Sequence, residues 1–72
     1  MSLLVKPGDV VAIAAFDEVP EHLFTIEEVL DDCVTGVALT GPLEGEYGEP
    51  ELAMILRVLD PEEVRLGTYQ SL

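Results

Sequence analysis

The sequence predicts one small domain that is mostly β, with about five strands and a single helical turn near residues 61–66. Three observations support this prediction. The apolar segments are short and separated by turn residues such as Pro7-Gly8. Most of them show the alternation or the β-branched content of strands. The best helix start, Asp60-Pro61, is followed so soon by Gly67 that only about one turn fits. Residues 1–72 then form one domain, with 1–4 and 69–72 as fraying ends.

Three apolar segments predict strands. DVVAIAA over 9–15 is too short for a typical helix, and its apolar residues would fall on both faces of a strand. CVTGVALT over 33–40 contains Gly36, and a glycine within a strand marks a bulge or a close backbone approach. ELAMILRVL over 51–59 has residues that also suit a helix, but its sharp end at Asp60-Pro61 favours a strand.

The stretch TIEEVLDD over 25–32 supports two interpretations. Thr25 followed by Glu28 is a capping box, which indicates the start of a helix. Asp31 and Asp32 would then lie at the negative C-terminal end of the helix dipole, which is unfavourable. We therefore favour a strand, and a helix stays the alternative.

As a strand, this segment requires a bulge. Phe24 and Ile26 alternate with polar residues and would point into the core. An extra residue near 27–28 would then return Val29 or Leu30 to the core.

The order of the elements resembles that of the SH3-like small β-barrels, including the KOW and Tudor types. The resemblance is carried by KPGDVVAI, FTIEEVLDDCVTGVAL and LAMILRVLDPEEVRL, and it covers roughly residues 5–68. It implies a small barrel whose loops bind peptides or nucleic acid. The chain departs from the nucleic-acid-binding members by its acidity. It departs from the peptide-binding SH3 domains by its few aromatic residues, which are Phe16, Phe24, Tyr47 and Tyr69. The resemblance therefore implies a fold but no binding residues.

The charge balance limits the class of partner. Fifteen acidic residues against three basic ones give a net charge of −12. This charge opposes direct binding to nucleic acid and to anionic membranes, because both depend on Lys and Arg. It suits a basic protein surface, a cation or simple solvation. A single cysteine allows no internal disulfide, and a cytoplasmic location is expected. No apolar run approaches the length of a membrane span, and the N-terminus lacks the features of a signal peptide.

Two acidic loops, over 17–22 and 41–51, are the predicted partner-binding regions. In the second loop, Tyr47 lies between glycines and glutamates. An aromatic side chain in this position can anchor a partner, or it can fold back as a lid over the end of the barrel. The predicted partner-binding residues are Asp17, Glu18, Glu44, Glu46, Tyr47 and Glu49.

Catalytic and metal chemistry have little support in the sequence. His22 and Cys33 are the only residues of their types, and they could form a thiolate–imidazole pair. We favour a structural Cys33 and a solvent-facing His22, with Phe16 in the core. The acidic loops offer oxygen ligands but lack the EF-hand pattern, so no metal or cofactor is expected.

These features predict a small acidic, non-enzymatic interaction module or accessory subunit that binds a basic protein surface. The alternative is a DNA mimic, whose carboxylates would occupy the basic cleft of a nucleic-acid-binding protein. A monomer or a small homo-oligomer is expected, because free strand edges pair readily while the net charge opposes large assemblies.

Overall fold

The computed structural model describes residues 5–66, which form a five-stranded antiparallel sheet with the strand order β4-β3-β2-β1-β5. The strands are β1 (Val10–Ile13), β2 (His22–Val29), β3 (Val34–Ala38), β4 (Tyr47–Gly48) and β5 (Ile55–Val58). A 3₁₀ turn, Leu52–Met54, precedes β5, and the helix α1, Pro61–Leu66, follows it. The predicted fold class, mostly β with five strands and one short helix, is confirmed. The proposed fraying ends, 1–4 and 69–72, lie outside the described residues.

The segment between β3 and β5 differs from the prediction. The loop predicted over 41–51 contains β4, which pairs with β3. The strand predicted over 51–59 begins only at Ile55, because residues 52–54 form the 3₁₀ turn. The physical reason is that Glu51 bridges to Cys33 beside β3, whereas Ile55 pairs with β1 towards the opposite edge of the sheet. A compact turn lets the chain cross between them.

The predicted bulge in β2 is confirmed, and the helix alternative for this segment is wrong. Ile26 pairs with Gly36 and Glu28 pairs with Thr35, so Glu27 is the extra residue. The bulge does not return the following residues to the core.

Val29 and Leu30 are 39% and 47% exposed, so their predicted burial is wrong. Val29 pairs with Val34 at the end of the hairpin. The backbone N–H of Leu30 donates to the Cys33 carbonyl at 2.8 Å and closes the turn. The hairpin tip therefore extends past the core.

Two apolar clusters lie on opposite faces of the sheet. Val11 and Ile13 belong to the larger cluster, and Ala12 belongs to the smaller one, so β1 is apolar on both faces as predicted. The larger cluster contains Val11, Ile13, Phe24, Ile26, Val34, Ala38 and Ile55. The smaller cluster contains Ala12, Leu23 and Leu59, and Val64 of α1 packs against it. The helix α1 thus covers part of the second face.

The start of α1 has a reciprocal cap. The backbone N–H of Glu62 donates to the Asp60 carboxylate at 3.1 Å. The backbone N–H of Asp60 donates to the Glu63 carboxylate at 3.1 Å. The same carboxylate accepts from the Arg57 guanidinium, at 3.1 and 3.2 Å. Glu63 therefore links β5 to the first turn of the helix, as a capping-box glutamate does.

Replacing this carboxylate should give a stability difference that depends on pH. Hydrogen bonding to Arg57 lowers the pKa of Glu63 below its ordinary value of 4.5, and the Asp60 backbone adds to this. A lowered pKa in the folded state stabilises the fold above the ordinary pKa, and the stabilisation is lost as the pH falls through the lowered value. Glu63→Gln should therefore be less stable than the parent at neutral pH, and the difference should close in acid. Urea unfolding across the pH range measures this difference.

The exposed Glu28→Gln is the matched control for this experiment, because it removes the same charge from a carboxylate outside the cap. It should differ little from the parent at any pH. A constant difference between Glu63→Gln and the parent down to strong acid would contradict the role of the ionised carboxylate.

Candidate functional site

A groove with a volume of about 470 Å³ extends from Glu51, which bridges to Cys33, to the opposite end of the sheet. The end of β1, the start of β2 and the end of β3 meet there, because neighbouring strands are antiparallel. The chain from Glu46 to Met54 forms the far side of the groove. The loops that join β1 to β2 and β3 to β4 therefore lie beside one cavity.

The floor of the groove is apolar. Ile13, Phe24 and Ala38 line it and are at most 3% exposed. Half-buried Leu43 and Met54 also line the groove and pack against the same core cluster. An apolar group of a ligand would thus be buried on contact with this floor.

The rim of the groove is acidic. Glu46, Glu49 and Glu51 line the groove and are exposed. The three Lys and Arg residues of the chain are paired with other acids. Their pairs are Lys6 with Asp9, Arg57 with Glu63 and Arg65 with Glu62. No Lys or Arg of the chain therefore neutralises the rim carboxylates.

Tyr47 stands on the rim in β4 and is 61% exposed. Its hydroxyl donates to the Glu49 carboxylate at 2.9 Å. This hydrogen bond, together with desolvation, raises the pKa of Tyr47 above its ordinary value. The ring is too exposed to be a buried lid over the end of the sheet, and it remains accessible to a partner.

Phe16 lies on the opposite side of the groove and is not a core residue. Its backbone exchanges hydrogen bonds with Val19 at 2.9 and 2.7 Å, which closes a tight turn. Asp17 adopts the left-handed conformation in this turn with φ of 48°, which Asp tolerates better than most residues. The turn carries Phe16 outward, so the ring is 37% exposed, and the prediction of a core Phe16 is wrong.

His22 is buried, so the prediction of a solvent-facing histidine is wrong. It is the first residue of β2, is 3% exposed and lines the groove. Its Nδ1 lies 2.9 Å from the carbonyl oxygen of Pro20, and its ring centroid is 6.2 Å from that of Phe16. The sequence pattern did not show this burial, because a histidine between Glu21 and Leu23 is equally typical of a loop.

Cys33 lies at the other end of the sheet from His22. β2 separates the two residues and spans about 25 Å at the usual rise of a strand. They therefore do not form a catalytic pair. Partial burial, followed by the negative charge of Asp32, raises the pKa of the Cys33 thiol. Within residues 5–66, no group of three or more His, Cys, Asp and Glu side chains is arranged to hold a metal ion.

The groove brings together half of the predicted partner-binding residues. Glu46, Tyr47 and Glu49 line it. Asp17 and Glu18 are exposed in the turn that presents Phe16, and Glu44 is exposed in the loop before β4. The groove residues that sequence reasoning missed as binding residues include Phe16, His22, Glu51 and Met54. Nothing local in the sequence pairs them, because they meet only through the topology of the sheet.

In the part of the chain that the structure describes, no helix has the length and apolar character needed to cross a membrane. Comparisons of the chain with protein-family models, with curated proteins and with solved structures find no match.

Proposed function

We propose that this protein is a non-enzymatic interaction module whose groove binds a basic, extended segment of a partner protein in the cytoplasm. The supporting observation is an apolar floor enclosed by carboxylates that no Lys or Arg of the chain neutralises. Acidity alone is equally typical of a solvated surface. Acidity around an apolar, concave floor favours a ligand that carries both positive charge and apolar surface.

Lys and Arg side chains combine these two properties. Their aliphatic stems pack on apolar surface while their charged ends stay at a polar edge. Such a stem would lie along Phe24 and Met54, and its charge would reach Glu46 or Glu49. Phe16 and Tyr47 would flank the segment, as exposed aromatic residues often do in interfaces. The carboxylates contribute mainly to orientation and to the rate of encounter.

Charge reversal on the rim should slow association with a basic peptide. The variant Glu46→Lys with Glu49→Lys should lower the association rate constant about tenfold at low salt, because steering by the rim is lost. It should also flatten the dependence of this rate on salt. Stopped-flow fluorescence with a labelled peptide of alternating Leu and Arg residues measures both effects.

The matched control is Glu28→Lys with Asp31→Lys. It changes the net charge equally, but at two exposed carboxylates that do not line the groove. We expect a much smaller change in rate for this control. Equal slowing by both double variants would contradict binding in the groove. That result would instead favour the DNA-mimic alternative, in which total charge matters more than the position of each carboxylate.

A further inference from the structure

His22 places an unpartnered acceptor in the wall of the groove. A carbonyl oxygen only accepts, so the 2.9 Å contact with Pro20 puts the proton of the neutral ring on Nδ1. Nε2 then carries a lone pair and has no hydrogen-bond partner among the described residues. It is also not sealed from solvent, because no fully buried side-chain nitrogen or oxygen of the described residues lacks a partner. The ring that carries Nε2 lines the groove.

The other polar side chains of the groove also accept. Glu46, Glu49 and Glu51 present carboxylates. The Tyr47 hydroxyl, which could donate, already donates to Glu49. The side chains therefore offer a ligand four acceptor groups and no free donor. A complementary ligand must supply several donors, positive charge and an apolar stem.

We propose that the groove binds an arginine side chain of the partner segment, with the guanidinium donating to Nε2 of His22 and to a rim carboxylate. This inference rests on the proposed function and specifies its ligand. A guanidinium presents five donors in one plane, so one edge can reach the imidazole while the other reaches Glu46 or Glu49. Its flat face suits the ring of Phe16, which lies beside the imidazole.

Lysine fits the groove less well. Its ammonium is a compact, strongly hydrated charge, and it loses more hydration on entering a partly apolar cavity. It also cannot present two planar edges to acceptors on different walls. A metal ion is not the better occupant, because the described residues contain no group of three or more suitable ligands.

Binding of three peptides that differ at one position tests the arginine assignment. The probes are Gly-Leu-Arg-Leu-Gly and the versions with lysine or with uncharged citrulline in place of arginine. At about pH 8, the arginine peptide should bind about tenfold more tightly than the lysine peptide. The citrulline peptide should bind more weakly than both. Titrations by fluorescence anisotropy give the three dissociation constants.

The single histidine of the chain gives a second readout. In protein labelled with ¹⁵N at histidine, the Nε2 resonance should shift when the arginine peptide is added, and it should stay in place with the citrulline peptide. His22→Phe keeps a buried ring but removes the acceptor. The ratio of the dissociation constants for the lysine and arginine peptides should therefore fall to about one. Both cationic peptides should still bind this variant through the rim.

The outcomes separate this inference from the proposed function. Equal affinity for the arginine and lysine peptides, with an unmoved Nε2 resonance, would overturn the arginine assignment. The proposed function, binding of a basic segment, would still stand. Cationic peptides that bind no better than citrulline would overturn the proposed function itself, and the arginine assignment with it. If His22→Phe does not fold, as judged by circular dichroism, the peptide series and the resonance of the parent protein decide.

Discussion

Gly36→Ala should remove a large part of the stability of the fold. A Cβ at this position would overlap the backbone carbonyl oxygen of Thr25 and lie 2.9 Å from Cε2 of Phe24. The overlap is with backbone in a paired strand, so it is relieved only if β2 and β3 move apart at the bulge. We expect a loss of about 3 kcal/mol or more in the free energy of unfolding, the upper end for overpacking. A domain of this size has only about 4–11 kcal/mol in total.

Gly48→Ala is the matched control, because Gly48 pairs directly with Gly36 across the sheet. A Cβ at Gly48 would meet its nearest atom, Cε1 of Phe24, at 3.6 Å, which is ordinary contact. We expect this variant to stay within about 1 kcal/mol of the parent. Urea unfolding followed by circular dichroism gives both values. A folded Gly36→Ala as stable as Gly48→Ala would show that the two strands do not approach so closely.

The core strands and the bulge could be predicted because their signals are local. Alternation along residues 24–26 and the apolar residues of β1 indicate strands within a few residues. Gly36 indicated a close approach in its own strand, and the structure places the bulge of β2 directly opposite it. The close approach of β2 to Gly36 explains both the glycine and the bulge, since a side chain at position 36 would occupy the space that the bulged strand crosses.

The exposure of Phe16 and Val29 and the burial of His22 could not be predicted from the local sequence. Each depends on what a distant element does. Val29 would be buried if another element covered the hairpin tip. Phe16 is turned outward by the tight turn that follows it, and His22 is covered at the end of the sheet. Apolar content indicates that a residue prefers burial, but only the topology decides whether anything is there to bury it.

The candidate site was predicted in part for the same reason. Glu46, Tyr47 and Glu49 are neighbours in sequence, so their combination of charge and aromaticity is visible in the loop itself. Phe16 and His22 come from the other side of the groove, and only the fold shows that the imidazole Nδ1 contacts the Pro20 carbonyl oxygen and leaves Nε2 as an acceptor. The acidic loop thus predicted the rim, while the floor and the acceptor needed the fold.

Leu23→Ala should be strongly destabilising. Leu23 is fully buried in the smaller cluster, whose other buried members among residues 5–66 are Ala12 and Leu59. So small a cluster has few side chains that can move into the vacated space. We expect a loss of about 3 kcal/mol, within the range for buried leucines. For a domain of this size, such a loss lowers the melting temperature by roughly 15 °C.

Leu56→Ala makes the same chemical change at a side chain that is 53% exposed on β5. It should shift the free energy of unfolding by no more than about 0.5 kcal/mol, because little apolar contact is lost. Differential scanning calorimetry of both variants and the parent measures the contrast. Similar melting temperatures for the two leucine variants would mean that the second face of the sheet contributes little to stability. A large difference would show that α1 and the smaller cluster stabilise the face of the sheet opposite the groove.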